Sequence, residues 1–138
     1  MSSYLSIYVV PKRKTKDEPK KYVILTAYSR NTDIYQYFSD VVSPAYAGDE
    51  DKYTSLTKDS VGAVLNSFKE DIDSANKRLV EYEKYASNNP DYINEIIELK
   101  EYIEDLQYWK DKTSFIQDLV GDIDYYDNGI EEVCCNVD

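Results

Sequence analysis

Histidine is absent from this 138-residue chain. With it go the commonest general base near neutral pH, the usual serine and cysteine triads and most zinc sites. Glycine is scarce, and neither standard spacing of a Gly-rich phosphate loop can be drawn through Gly48, Gly62, Gly121 and Gly129. The two cysteines, Cys134 and Cys135, are neighbours, and a bond between adjacent residues closes a strained ring far from ordinary disulfide geometry. A reduced intracellular protein is therefore expected, with strand alternation sending one thiol inward and the other outward. No stretch reaches the ~18 consecutive apolar residues of a membrane span. The opening Met1-Ser2-Ser3-Tyr4 lacks the charged and apolar parts of a signal peptide, so the expected location is cytoplasmic.

Positive charge is also in short supply, and it is unevenly placed. The net charge is −11, which disfavours free association with nucleic acid or an anionic membrane. Up to Arg30 the chain carries seven Lys/Arg against Asp17 and Glu18, a net of +5. The remainder has nine basic and 25 acidic residues, a net of −16, and no basic residue follows Lys112. Such polarity would let copies stack basic end to acidic end, although charge runs are often simply solvated surface.

What is abundant is tyrosine, with 15 copies against one Trp and three Phe. Its ring packs while its hydroxyl reaches water or a partner, which suits half-buried faces and interfaces. Tyr, Asn, Lys, Ile and Asp also share AT-rich codons, a purely compositional origin for part of the excess. An apolar fraction of 42% with 31% charged residues is ordinary for a folded domain, and the length fits a single one, 1–138.

Tyr4–Val10 and Tyr22–Tyr28 are rich in β-branched and aromatic residues and flank the charged stretch Pro11–Lys21. This predicts a β-hairpin with a long basic tip. Few polar residues interrupt either strand, so both sheet faces are expected to be covered, one by helices and the other by further chain or a partner. Ile34, Tyr37, Phe38 and Val41 follow the cap-like Asn31-Thr32-Asp33 at helical spacing, predicting a short amphipathic helix. Residues 44–55 read as loop, closing a first segment, 1–56.

The strongest pattern begins at Thr57, a helix cap, with Leu56 stapling onto Val61. Val61, Leu65, Phe68, Ile72, Ala75, Leu79 and Tyr82 then alternate by fours and threes, three heptads of an apolar seam. Asn89-Pro90-Asp91 stops this helix near Ser87 and starts a second. Ile96, Leu99, Ile103 and Leu106 continue the seam until Lys110 interrupts it, where the apolar line moves to Trp109, Ile116, Val120 and Ile123, a stutter. Gly121 is expected to end the helix. Residues 57–120 thus predict a long antiparallel, coiled-coil-like helical hairpin. In 121–138, Asp127-Asn128-Gly129 between Ile123–Tyr126 and Ile130–Val137 predicts a second β-hairpin, with Val133, Cys135 and Val137 inward. The expected fold class is α+β: the helical hairpin, one short helix, and a small antiparallel sheet from N- and C-terminal β-hairpins.

Chemistry is hard to find in this frame. The acidic run Asp122, Asp124, Asp127, Asn128, Gly129 and Glu131 has a superficial calcium-loop look, but Tyr126 and Cys135 fall where the spacing wants oxygen ligands. Paired carboxylates would need a cleft that a helical hairpin does not supply. No catalytic, cofactor or metal residues are assigned. The basic tip residues Lys12, Arg13, Lys14, Lys16, Lys20 and Lys21 lack the aromatic interleaving of a nucleic-acid site and are candidates for protein contact, together with Tyr85, Tyr92 and Tyr102 on the helices. The small size, AT-rich composition and lack of familiar motifs look like a bacteriophage-encoded protein. The expectation is a non-enzymatic assembly or adaptor protein, oligomeric or part of a complex, such as a virion component. It would contact other protein subunits, with no direct nucleic-acid binding, no membrane and no cofactor. The alternative is an acidic inhibitor that mimics nucleic acid along the helices, an imitation weakened by interspersed Lys69, Lys77, Arg78 and Lys84.

Overall fold

The computed structural model describes residues 4–28, 33–41, 54–123 and 129–137. Its elements run β1 (Tyr4–Pro11), β2 (Tyr22–Tyr28), α1 (Asp33–Val41), β3 (Thr54–Ser55), α2 (Lys58–Ala86), α3 (Tyr92–Asp122) and β4 (Ile130–Val137). Three helices and a four-stranded antiparallel sheet make a mixed α+β fold.

The sheet order is β2-β1-β4-β3. β1 and β2 form the expected hairpin, with Leu5 opposite Ala27 and Ile7 opposite Leu25. Tyr8 then faces Val23, leaving Ile24 as the extra residue of a bulge. The second expected hairpin differs. β4 pairs with β1 on one side, Cys135 opposite Ile7, and with β3 on the other. Ile123, the expected first residue of the partner strand, has helical dihedrals as the C-cap of α3, and 124–128 lie outside the described residues. Gly129 does have a positive φ, 77°, and its carbonyl accepts the Lys12 N–H at 2.8 Å. Part of the expected loop 44–55 is also corrected, because Thr54 and Ser55 add a short strand to β4 and Leu56 donates its N–H to the Val133 carbonyl at 2.8 Å. A backbone entering the core must pair its polar groups, and the open edge of β4 supplies the partners.

Sheet alternation sends Leu5, Ile7, Val9, Leu25, Ala27, Val133, Cys135 and Val137 into one core with the helices. α1 contributes Ile34 and Phe38. α2 is capped by Thr57 in a reciprocal box with Ser60, which satisfies two otherwise orphaned N–H groups, and it buries Val61, Val64, Leu65, Phe68 and Ala75. The connection to α3 is held by the Tyr85 carbonyl, which accepts the N–H groups of Asn88 and Asn89. Asn89 accepts the Asp91 N–H on its side-chain oxygen at 3.1 Å, the bond an Asn89 cap makes with the second residue after it.

On α3 the buried positions are Leu99, Leu106, Thr113, Ile116, Val120 and Gly121. Burial therefore steps by seven through Thr113 to Val120, while Trp109, Ile116 and Ile123 add contacts to the sheet-side core. The apolar stripe widens past Trp109 rather than shifting. Thr113 tolerates burial because its hydroxyl donates to the Trp109 carbonyl at 2.8 Å. Gly121 does not end the helix, which continues to Asp122. Its bare Cα instead admits the Lys58 side chain, whose Cε would stand 2.8 Å from an added Cβ. No helix among the described residues is long and apolar enough to cross a membrane.

Phe68 is fully buried in this core and meets the Tyr37 ring edge-on at 4.7 Å. Phe68→Ala is expected to cost ~3–5 kcal/mol in urea unfolding. Gly129→Ala, forced into the left-handed region, is expected to cost ~1–2 kcal/mol without touching the core.

Candidate interaction surfaces

The basic tip residues converge only in part. Arg13, Lys14, Lys16, Lys20 and Lys21 line an open cleft of about 670 Å³ with Tyr8, Val10, Pro11, Thr15 and Glu131. Lys12 is not among the lining residues; its backbone anchors the loop to Gly129. Local turn bonding shapes the tip, since the Lys14 N–H donates to the Glu18 carboxylate at 2.9 Å. The Lys21 ammonium lies 4.7 Å from the centroid of the Tyr8 ring, a cation–π contact that brings it back over the sheet. The cleft is suited to attracting acidic groups, with Glu131 tempering it.

Tyr85 and Tyr92 do come together. With Tyr82 they form a ring cluster at the ends of α2 and α3, Tyr92 lying 5.7 Å from Tyr82 and 5.5 Å from Tyr85. Tyr85 remains 55% exposed. Tyr102 lies elsewhere, ten residues further along α3, beside the Asp33 and Asp71 carboxylates of α1 and α2. It hydrogen-bonds Asp33 of α1 and is pushed up to about 12 by burial, with the Asp33 and Asp71 charges adding. Asp71 of α2 accepts a hydrogen bond from the Tyr37 hydroxyl; partial burial and the Asp33 charge raise its pKa. Asp105 is raised by the same two causes and held back by a bond from Trp109. The group ties α1 to both long helices. Among the described residues no set of Cys, Asp and Glu side chains is arranged to hold a metal ion.

The two thiols face opposite sides of the sheet as alternation predicts, yet both are buried. Cys134 is on the sheet face away from the helices, but β4 is an interior strand, and Tyr8 and Ser55 flank it in register. Burial first, then the Glu132 charge, pushes the Cys134 thiol up to about 12; burial and Cys134 do the same for Cys135. They are structural rather than reactive groups.

A third surface escapes the sequence reading. Among the described residues β2 is an edge strand bonded on one side to β1, and Tyr22 (50%), Val23 (58%) and Tyr28 (56%) are exposed within the single chain. Beneath it, Ile24, Leu25, Asp111, Lys112, Phe115 and Ile116 line a groove of about 410 Å³. Phe115 stands 62% exposed at its wall. Tyr108, one further step back along the same face of α3, is 54% exposed and lies under the Lys112 ammonium. The only sequence signal for it was the uncharged run Tyr22–Tyr28, which equally suits a buried strand.

Comparison of the chain with protein-family models, with curated proteins and with solved structures returns no match.

Two outcomes follow from the titrating groups. Asp71 and Asp105 hold protons more tightly folded than unfolded, so the folded state takes up protons as the pH falls and gains stability. The melting temperature is expected to rise as the pH falls from neutral toward the ordinary aspartate value of 3.8, and Asp71→Asn to flatten that rise while raising the value at pH 7, by differential scanning fluorimetry. At pH 8 a thiol with a pKa of about 12 is ionised to only about 1 part in 10⁴. Iodoacetamide labelling is expected to be slow in buffer and complete in denaturant.

Proposed function

We propose that this chain is a non-enzymatic assembly or adaptor protein that works through protein–protein contacts, of the kind that builds a bacteriophage virion. One observation carries the reading: Ile24 and Phe115 are exposed at a groove between β2 and α3 that holds one acid and one base, with Tyr108 exposed on the same side of α3 and Tyr22, Val23 and Tyr28 exposed along β2, on a chain in which 31% of residues are charged. Clustered exposed aromatics with few charges are the composition of interface cores rather than of free surface. The basic cleft of the β1–β2 loop and the net charge of −11 add a polarity that orients a partner before contact.

α2 and α3 serve this role as a long antiparallel helical hairpin, coiled-coil-like in its spacing, about 45 Å from end to end at 1.5 Å per residue. It holds the Tyr82–Tyr85–Tyr92 cluster at its far end as a rigid spacer, away from the sheet. Supporting this are the apolar stripes of both helices, the ring contacts at one end, and Gln117 of α3 beside Gly62 of α2 toward the other.

Light scattering over a concentration range, with a pull-down from the producing cell read by mass spectrometry, tests the proposal. The expected result is a mass above the 16.1 kDa of one chain, or a stoichiometric protein partner that survives moderate salt. A strictly monomeric chain that retains only basic nucleic-acid-binding proteins and releases them in high salt overturns it and favours the acidic mimic.

A further inference from the structure

The loop between β1 and β2 sorts its charges. Arg13, Lys14, Lys16, Lys20 and Lys21, all exposed, line the open cleft of about 670 Å³ with Glu131 as the one carboxylate among the described lining residues, a net of +4. The loop's own acids, Asp17 and Glu18, do not line it, and Glu18 is turned back onto the Lys14 N–H at 2.9 Å. A merely solvated charge run would spread its side chains without regard to sign; here five cations gather round one hollow and both acids stay outside. The strand residues in the lining, Val10 and Pro11, are apolar and half-buried. We infer that this cleft docks an acidic segment of a partner protein, which sets several carboxylates against the five cations and an apolar side chain against Val10 and Pro11.

The same lining selects carboxylates on a polypeptide over phosphates on a nucleic acid. Tyr8 is the one ring among the described lining residues, it is 3% exposed, and the Lys21 ammonium stands 4.7 Å from its centroid, so no aromatic face is open for a base to stack on. The positive potential is also local. Beyond Arg30 the chain carries a net of −16, and a nucleic acid running past the cleft meets that acidic remainder. A short peptide segment ends before it. Glu131 sharpens the choice, because a phosphodiester backbone is charged at every unit, whereas a polypeptide can set a neutral side chain beside that carboxylate.

A different protein supplies the segment better than a second copy does. Two chains of net charge −11 repel as wholes, and attraction confined to one cleft works against that repulsion at every approach. A partner of smaller net charge bearing an acidic segment meets the attraction alone. Arg13 and Lys14, like Lys20 and Lys21, are neighbours along the chain and so lie within the screening length of ~8 Å at physiological ionic strength. Their charges act together on an approaching carboxylate. Such a contact is steered by charge, forms quickly and weakens in salt.

The inference rests on the proposed assembly role and names the chemistry of one partner. The probe is a fluorescein-labelled synthetic peptide of alternating Glu, Leu and Ser, titrated with the full chain at about 50 mM salt and followed by anisotropy. Saturable binding is expected. It should weaken at least ~10-fold with Lys16→Glu and Lys20→Glu together, at exposed positions that leave circular dichroism unchanged, and again at about 300 mM salt. Ser in place of the leucines should weaken it ~3-fold or more, and an oligonucleotide of equal charge should not displace it. No peptide binding, binding indifferent to the charge reversal or to the leucines, or displacement by the oligonucleotide overturns the inference. Self-association of the chain alone, lost in the charge-reversed variant by light scattering, overturns it too, by making a second copy the source of the acid. In any of these cases, a protein partner from the producing cell that the variant retains leaves the assembly role standing, whereas no partner and no self-association removes both.

Discussion

The pairing of β4 with β1 is the interaction on which the remaining structure depends. It joins the last described strand to the first, so the order of the sheet forms only when the two segments come together. β4 in turn offers its other edge to β3, and the Val133 carbonyl receives the Leu56 N–H at the threshold of α2. The capped start of the long helix is thereby hung from the centre of the sheet. One face of β4 supplies Val133, Cys135 and Val137 to the core shared with α1, α2 and α3, so the burial of apolar area between the sheet and the helices depends on it.

From that anchor the burial gradient along the helices follows. Near the sheet, α2 and α3 bury Val61, Val64, Phe68, Ile116 and Val120; toward the Asn88 connection the buried side chains thin to Ala75 and Leu99. The far end is closed by half-exposed tyrosine rings, which pack laterally without needing full desolvation. Between these regions, Asp33, Asp71, Asp105 and Tyr102 gather carboxylates and a phenol from three helices. Burial first, and the nearby Asp33 charge after it, raise the pKa values of Asp71, Asp105 and Tyr102 there.

Legibility in the sequence followed the range of the interaction concerned. The first hairpin, α1 and the bounds of α2 were readable from alternation, period and cap residues, all of which act within a few positions. The interior placement of β4, the small strand Thr54–Ser55 and the burial of both thiols were not, because each depends on a pairing across more than 75 residues, as between Thr54 and Cys135. Among the candidate contact residues, the basic run announced itself by charge and Tyr85 by its place on the helix. The β2–α3 surface stayed hidden, since an uncharged strand reads the same whether it is central or at an edge.

By itself, the sequence determined the chemical inventory and the local elements: no histidine, adjacent cysteines too close to bridge, a basic tip on an acidic chain, and helices started by Thr57 and the Asn89–Asp91 turn. Those are properties of composition and of neighbours along the chain. Only the tertiary structure decided which strand lies at the edge, and hence that Val23 and Tyr22 meet solvent while Tyr8 and Cys134 do not. It also decided that Phe115 stands beside Ile24 rather than within the helical seam. The physical reason is that exposure is set by the order of strands in the sheet and by the rotation of α3 about its axis, and both are fixed by contacts between residues remote in sequence.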